Sequence, residues 1–187
     1  MSGNIIKPNG LTRIIPANYN VNSAWDMLSR SVDGYEKSVT KTLTTAAAPH
    51  LTNLFRFDGA CNLNFIFGVF TDVTDIADMT ACHFDIWDGT TSVKLTAAAG
   101  PALTGYGLGS YFLKDDVVAN ALIGLNNDQV RIRETAVGTL LAPVKLSPKA
   151  GVDNYIRFGY TSASINVTIR FGLIYVPSVN YENVFAV

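Results

Sequence analysis

The chain has 187 residues, of which 48% are hydrophobic and 16% are charged, and its formal net charge is -1. This length allows one well-buried core but not two full domains, and the near-neutral charge lacks the basic footprint of a nucleic-acid-binding protein. The longest apolar runs are far shorter than the about 20 residues that a membrane-spanning helix needs. We therefore expect one domain with extensions, no membrane partner, and excess apolar surface that is used in subunit contacts.

Residues 1–37 differ from the rest of the chain, because Asn, Pro and Gly interrupt the segment NIIKPNGLTRIIPANYNVN and leave apolar pairs without a sustained period. We expect an extended arm in which Ser23 and Asp26 resemble a capping box and begin a short helix that ends at Gly34. The apolar side chains of the arm have no evident core, which predicts contact with a neighbouring molecule. These interface residues are Ile5, Ile6, Ile14, Ile15 and Trp25. The arm also lacks the pattern of a secretion signal.

Beyond the arm, alternating segments separated by turn residues predict many short strands. Two dipeptides, Asp58-Gly59 and Asp88-Gly89, lie between such segments and predict hairpin turns, because both residue types tolerate a positive φ. The stretch DVTDIAD at residues 72–78 predicts a solvated loop or a helical turn. The fold class is therefore all-β: residues 38–178 form an antiparallel β-sandwich, jelly-roll-like, followed by a C-terminal tail at residues 179–187.

The most regular sequence is DNYIRFGYTSASINVTIRFGLIYVP, at residues 153–177. Apolar residues occupy even positions from Ile156 to Tyr160 and odd positions from Ile165 to Tyr175. Each half has the period of two that is typical of a strand with one buried face. The change of phase surrounds four small residues, three of them polar, so we predict an antiparallel hairpin with its turn at residues 161–164.

Few residues are candidates for catalysis or metal binding. Cys61 and Cys82 lie in apolar segments and are expected to be buried thiols that act as small hydrophobes. His83 alternates with Cys82 and Phe84, so it is expected to face away from the core beside Asp85, but the spacing matches no zinc motif. The sequence therefore predicts no metal site, no cofactor and no catalytic residue.

Four arginines lie at outward positions of predicted strands, near Tyr155 and Glu134. They are Arg131, Arg133, Arg157 and Arg170. Two interpretations remain open for them. They could form a basic aromatic surface for nucleic acid or glycan, or they could make cross-strand charge pairs and a subunit interface, where Arg and Tyr are enriched.

The segments ACHFDIWDGTTSVKLT, SYFLKDD, NNDQVRIRE and DNYIRFGYTSASINVTIRFGLIYVP together resemble the β-sandwich structural proteins of tailed bacteriophages, the kind found as capsid decoration proteins or fibre heads. The resemblance spans about residues 50–177 and lies in the order and character of strands, not in a catalytic motif. It implies a virion component that forms homo-oligomers, often trimers. It carries over no catalytic residue.

These observations favour a non-enzymatic virion structural protein that decorates or cements a capsid and is assembled in the host cytoplasm. The expected partners are the major capsid protein or other virion proteins, with residues 1–37 as the anchor. The alternative is a tail or head fibre domain that recognises a receptor or glycan through Trp87, Tyr106 and Tyr111. A third interpretation is a small hydrolase, for which Asp72, Asp85, Asp88 or Asp115 would have to converge in a cleft.

Overall fold

A computed structural model describes residues 3–6, 12–15, 25, 34–77, 79–96, 102–103, 105–114, 123–125, 143–178 and 184–187. These residues form antiparallel β-strands with almost no helix, which confirms the all-β prediction. The strands are β1 Gly3–Ile6, β2 Thr12–Ile15, β3 Tyr35–Phe57, β4 Cys61–Ala77, β5 Thr80–Trp87, β6 Ser92–Lys94, β7 Tyr111–Leu113, β8 Ile123–Leu125, β9 Val144–Leu146, β10 Tyr155–Pro177 and β11 Val184–Ala186. In the part of the chain described, no helix is long and apolar enough to cross a membrane.

The strands belong to two sheets. Strands β1 and β2 pair with each other in a small sheet, and the remaining strands form a nine-stranded sheet whose main order is β11-β3-β10-β4-β7-β8. Strand β10 is central: one edge pairs with β3, and the other pairs first with β5 and then with β4. Strand β6 pairs with β5, and strand β9 pairs with β4. The large sheet curls into a half-barrel.

Strands β3 and β10 have 23 residues each, several times the usual length of about 5 or 6 residues. A straight strand of that size would extend roughly 75 Å at about 3.3 Å per residue. Both strands instead contain register shifts near their middles, where residues 46–50 of β3 oppose residues 160–162 of β10. Such irregularities bend a strand and increase its twist, which is consistent with the curl of the sheet.

The predicted hairpin at residues 153–177 is wrong, because β10 runs through residues 161–164 without a turn. Register shifts fall in that stretch, between Tyr160 and Ser162 and between Ser162 and Asn166. Two extra residues lie in β3 and then two in β10, since Tyr160 pairs with His50, Ser162 with Ala46 and Asn166 with Thr44. The apolar residues of β10 that reach the core are even-numbered before this stretch and odd-numbered after it. A phase change within one strand has the same sequence pattern as a turn.

Strand β4 changes phase at a single extra residue. Leu63 pairs with Tyr175 and Phe65 with Ile174, so Asn64 is an extra residue in β4. Beyond it, Ile66 and Phe70 join the main core, whereas Phe65, Phe67 and Val69 face a second cluster on the other side of the sheet. Both faces of this segment are covered, which explains why residues 65–70 form an almost continuous apolar run.

The two Asp-Gly dipeptides have different roles. Asp88-Gly89 joins the paired strands β5 and β6, with Gly89 at a φ of 83°, so that hairpin prediction is confirmed. Asp58-Gly59 follows β3, but β3 and β4 are not neighbours, because β10 lies between them. The predicted loop at residues 72–78 is also wrong, because β4 continues to Ala77, and Asp78 lies outside the described residues.

The main core is rich in aromatic side chains. The Phe112 ring lies 5.3 Å from Phe158 and 6.0 Å from both Phe84 and Phe171, measured between ring centroids. Cys61 and Cys82 are buried in the same core as free thiols, as predicted. Desolvation raises the pKa of Cys61 to about 11 and that of Cys82 to about 12. Neither thiol therefore has the lowered pKa of a reactive cysteine.

Candidate functional site

Strand β3 has one edge without a strand partner over most of its length. Strand β11 pairs with Phe55–Phe57, and Val187 N donates to Leu54 O at 3.1 Å. Within the described residues, no strand pairs with that side of β3 between Val39 and Leu51, and we call this segment the open edge. Its exposed residues are mainly small: Thr40, Thr42, Thr44, Thr45, Ala47, Ala48, Pro49, His50 and Leu51. Unpaired backbone N–H and C=O groups on a strand edge form a template for another strand.

The N-terminal hairpin formed by β1 and β2 contains all four isoleucines of the predicted interface. Ile5 pairs with Arg13, Ile6 with Thr12, Ile14 with Asn4 and Ile15 with Gly3. The sequence indicated an extended arm, and the pairing shows that part of the arm folds back on itself. A two-stranded sheet is marginally stable alone in water. The assignment of these isoleucines to an interface stays a prediction.

Trp25 lies on the sheet of its own chain. Its side chain is only 5% exposed, so the expectation that Trp25 lacks a core in its own chain is wrong. The indole lies 4.9 Å from the Phe67 ring, and the Arg170 guanidinium lies 3.6 Å from the indole centroid. Nε1 donates a hydrogen bond of 3.1 Å to Glu36. A Cβ on Gly172 would lie 2.7 Å from the indole, so glycine is required for this close approach.

The backbone of Trp25 is helical, and its neighbours in the predicted helix lie outside the described residues, except Gly34, which forms a bend. Strand β3 begins at Tyr35, just inside the predicted arm. The tail contributes β11, which pairs with Phe55–Phe57 of β3. Trp25 therefore fixes one point of the arm to the sheet.

A buried ion pair joins β5 to β10 on the face opposite the main core. Arg157 donates from Nε to Asp85 Oδ1 at 2.8 Å and from Nη2 to Oδ2 at 2.9 Å. Asp85 is 1% exposed and Arg157 is 9% exposed. Ser92 Oγ also donates to Asp85 Oδ2. Cross-strand charge pairing is thus confirmed for Arg157, whereas Arg131 and Arg133 lie outside the described residues.

Trp87 and Tyr155 form an aromatic pair beside this ion pair. They are directly opposite each other in the β5–β10 register, so they share a face of the sheet. Both are partly exposed, and the Arg157 guanidinium lies 4.7 Å from the Trp87 ring centroid. The Tyr155 hydroxyl donates to Asp153 at 3.2 Å. We call Trp87 and Tyr155 the aromatic patch.

The predicted group of exposed aromatics does not form one surface. Tyr106 is partly buried and its ring lies 6.1 Å from Phe70, against the main core. Tyr111 is buried in the second cluster with Trp25 and Phe67. Of the three predicted residues, Trp87 alone lies in the aromatic patch. The sequence places its partner Tyr155 only near the arginines, and the register between β5 and β10 is what brings it opposite Trp87.

A cleft of about 520 Å³ lies next to Tyr155, and it is lined by Asp58 and residues 148–154. Asn154 is buried and holds the loop together: its side chain accepts from Lys149 N and donates to the carbonyls of Lys149 and Val152. Asp58 is paired with Arg56 at 3.0 Å. Desolvation and the nearby Asp153 carboxylate raise the pKa of Tyr155.

Two of the four candidate acids of the hydrolase interpretation, Asp85 and Asp88, have structural partners. Asp85 is held by Arg157, and Asp88 accepts bonds from Thr90 N and Thr91 N in its turn, which lower the pKa of Asp88 to about 2. Asp72 lies on β4 and Asp115 is outside the described residues.

His83 is buried with Nδ1 2.7 Å from Ala81 O, on the face predicted for it. Within the described part of the chain, no group of His, Cys, Asp and Glu could hold a metal ion.

Comparison with known proteins gives no relative from which a function could be transferred. No protein-family model matches the chain, no curated protein matches its sequence, and no solved structure matches its fold. The open edge, the N-terminal hairpin, and the aromatic patch with its cleft are therefore the features from which function is argued.

Proposed function

We propose that the chain is a non-enzymatic structural protein of a virion, and that it decorates or cements a capsid shell by binding the major capsid protein. The observation that carries this proposal is the open edge of β3. Folded proteins usually protect long strand edges with charge, proline, bulges or a covering segment. Here Pro49 and the register shift beside it interrupt the edge near one end, and among the described residues no strand covers Val39–Ala46, whose one charged residue is Lys41.

The composition of the open edge fits an assembly surface. Threonine and alanine side chains are small enough to let a second strand approach, and threonines form favourable cross-strand pairs. One such pair already exists, since the hydroxyls of Thr42 and Thr168 are 3.1 Å apart. We propose that another subunit, in a homo-oligomer for which a trimer is favoured, or a neighbouring virion protein covers this edge.

The N-terminal hairpin is the proposed anchor to the shell. It forms a sheet of its own, and Trp25 ties the following part of the arm to the main sheet. The proposal therefore divides the predicted arm at Trp25. The isoleucines before it contact the partner, while Trp25 holds the connection.

The full fold in this proposal is the jelly-roll-like sandwich with a short helix in the arm. The curled antiparallel sheet and the helical backbone of Trp25 support it. Placement in a virion, with assembly in the host cytoplasm, rests on the resemblance of the strand segments to virion proteins. The aromatic patch favours one second candidate, a fibre domain that binds a receptor or glycan.

The test uses light scattering to measure mass, followed by co-sedimentation with undecorated capsid shells. We expect the full chain to form an oligomer that coats shells. A variant without residues 1–24, which keeps Trp25, should stay folded and lose shell binding. Undiminished shell binding by this truncated chain would disprove the anchoring role.

A second variant tests the open edge. Thr42→Lys with Thr44→Lys places charges on the edge, which oppose strand addition. We expect it to lower the oligomer mass, while the control Thr42→Ser with Thr44→Ser keeps it. An unchanged mass in the lysine variant contradicts the role of the edge in assembly.

A further inference from the structure

We propose that the aromatic patch and the cleft beside it bind a neutral carbohydrate, with one hexopyranose ring stacked on Trp87 and Tyr155. This inference names the ligand of the second candidate function and rests on that candidate; it does not depend on shell binding, because none of its residues lies on the open edge. Three observations carry it: the aromatic pair, the ion pair that orients Trp87, and the charge balance of the cleft.

The aromatic pair offers the surface that a sugar ring needs. A pyranose has one face of C–H groups that is apolar and a rim of hydroxyls, and large aromatic rings provide flat apolar area with a polar tip. Trp87 and Tyr155 lie opposite each other on adjacent strands, share a face and are both partly exposed. An apolar patch of this kind, next to hydrogen-bonding groups, is the usual composition of a small-molecule site.

The ion pair has the geometry of a positioning device for Trp87. A buried ion pair contributes little to stability, because desolvation of the two charges offsets their attraction, and hydrophobic replacements are often neutral or stabilising. Here the guanidinium of Arg157 lies 4.7 Å from the Trp87 ring centroid, and both of its hydrogen bonds to Asp85 fix its orientation. Ser92 holds Asp85 from the next strand. An indole fixed in advance loses less freedom when a ligand binds.

The cleft supplies the polar contacts and selects for a neutral ligand. Its volume of about 520 Å³ lies within the range of about 300–1,000 Å³ that is typical of ligand sites. Asp58 and Asp153 line it and can accept hydrogen bonds from sugar hydroxyls. The charges around the cleft balance, because Asp58 pairs with Arg56 at 3.0 Å, and Lys149, whose Nζ donates to Thr90 Oγ1 at 2.8 Å, lines the same cleft as Asp153. The lining therefore has no net charge that would favour an anionic sugar.

The Tyr155 hydroxyl connects the two parts of the site. It donates to Asp153, which lines the cleft, while the Tyr155 ring belongs to the aromatic patch. A ring stacked on the patch would thus place hydroxyls within reach of the Asp153 carboxylate. The structure assigns stacking to Trp87 and Tyr155, hydrogen-bond acceptance to Asp153 and Asp58, and positioning to Arg157.

The test begins with the full-length chain on an array of defined neutral and sialylated oligosaccharides, followed by saturation-transfer NMR with the best neutral glycan. We expect binding of neutral glycans. Trp87→Ala and Asp153→Asn should each weaken the affinity about tenfold, the size expected when one good contact is lost. Tyr35→Ala is the matched control: it removes an exposed aromatic from the opposite end of the β3–β10 pair and should leave binding unchanged.

Three results would overturn the proposal: no neutral glycan binds, sialylated glycans bind in preference, or Trp87→Ala and Asp153→Asn both bind normally. Asp153 is exposed, so its isosteric substitution keeps the test valid if the Trp87 variant fails to fold. The positioning role is tested with the double variant Asp85→Leu/Arg157→Met. It should stay folded and weaken glycan binding while the circular dichroism of the sheet is kept, and unchanged affinity would remove Arg157 from the site.

Discussion

Strands β3 and β10 have the same length and pair with each other along it, yet they differ in almost every other respect. Strand β10 has neighbours on both edges, and its apolar side chains fill the core. Strand β3 is exposed over most of residues 35–53 and enters the core mainly through Leu43 and Leu54–Phe57. The comparison shows that a strand can be paired through its backbone along its length without burying most of its side chains. Strand β10 contributes more of the buried apolar side chains, and β3 contributes more of the exposed surface.

The largest effect is expected when a core aromatic of β10 is truncated. Phe158 is fully buried among Phe84, Phe112 and Phe171, so Phe158→Ala should lower the free energy of unfolding by about 4 kcal/mol through lost burial and a cavity. Thr42→Ala on β3 is the matched control and should cost about 0.5 kcal/mol or less. Urea denaturation followed by circular dichroism measures both. Similar losses in the two variants would contradict the division of roles.

The next largest loss of stability is expected when the ion pair on the outer face of β10 is broken. Asp85→Ala leaves the Arg157 guanidinium without its partner, and we expect a loss of about 3 kcal/mol because the residual exposure of Arg157 lets water relieve part of the cost. The double variant Asp85→Leu/Arg157→Met should recover most of that loss. Denaturation curves give the free energy of unfolding of the two variants. A double variant as unstable as the single one would show that the ion pair itself is stabilising.

A smaller effect is expected where the arm meets β10. Gly172→Ala places a methyl group against Trp25 and Phe67, and such overpacking should cost about 1–2 kcal/mol and displace the indole. In a Trp87→Phe background, the fluorescence of Trp25 should shift to longer wavelength as the indole meets water. Thr168→Ala, on the same strand, is the control. An unshifted spectrum in the Gly172 variant would mean that Trp25 is not held as described.

Near pH 9 the smallest effect on stability comes from the two buried thiols, and this effect grows as the pH rises. The raised pKa values of Cys61 and Cys82 mean that the folded protein retains protons that the unfolded chain releases above about 9. Stability should therefore fall as the pH rises from about 9 toward 11. At pH 8 both thiols should resist a thiol reagent until denaturant unfolds the core. Rapid labelling of the native protein would contradict their burial in the sheet around β10.

Local sequence patterns were sufficient to predict several features of this molecule. The period of two located the strands, Asp88-Gly89 located a hairpin, and the alternation around His83 correctly assigned its face. Each of these depends on neighbours in sequence. The shift after Tyr160 is also local, but it produces the pattern of a turn, so the length of β10 was mispredicted.

The remaining features depend on contacts between distant residues. Trp25 has a core only because Gly172 and Arg170 lie beneath it, and that placement depends on the order of strands in the sheet. The pairing of Trp87 with Tyr155 depends on the register between β5 and β10. Spacing along the chain does not specify strand order, which is why the candidate site contained Trp87 but not Tyr155, and contained the buried Tyr111.

The position of β10 in the sheet also determines how the protein folds. Arg170 contacts Ser38, 132 residues earlier, and the register joins β10 to β4 and β5 across similarly long stretches. Contacts of such long range require large loops to close, which makes folding slow. A ribosome also produces β3, β4 and β5 before the strand that joins them. During synthesis their apolar faces and edges stay uncovered until β10 is made. The growing chain is therefore most vulnerable to aggregation just before its central strand emerges.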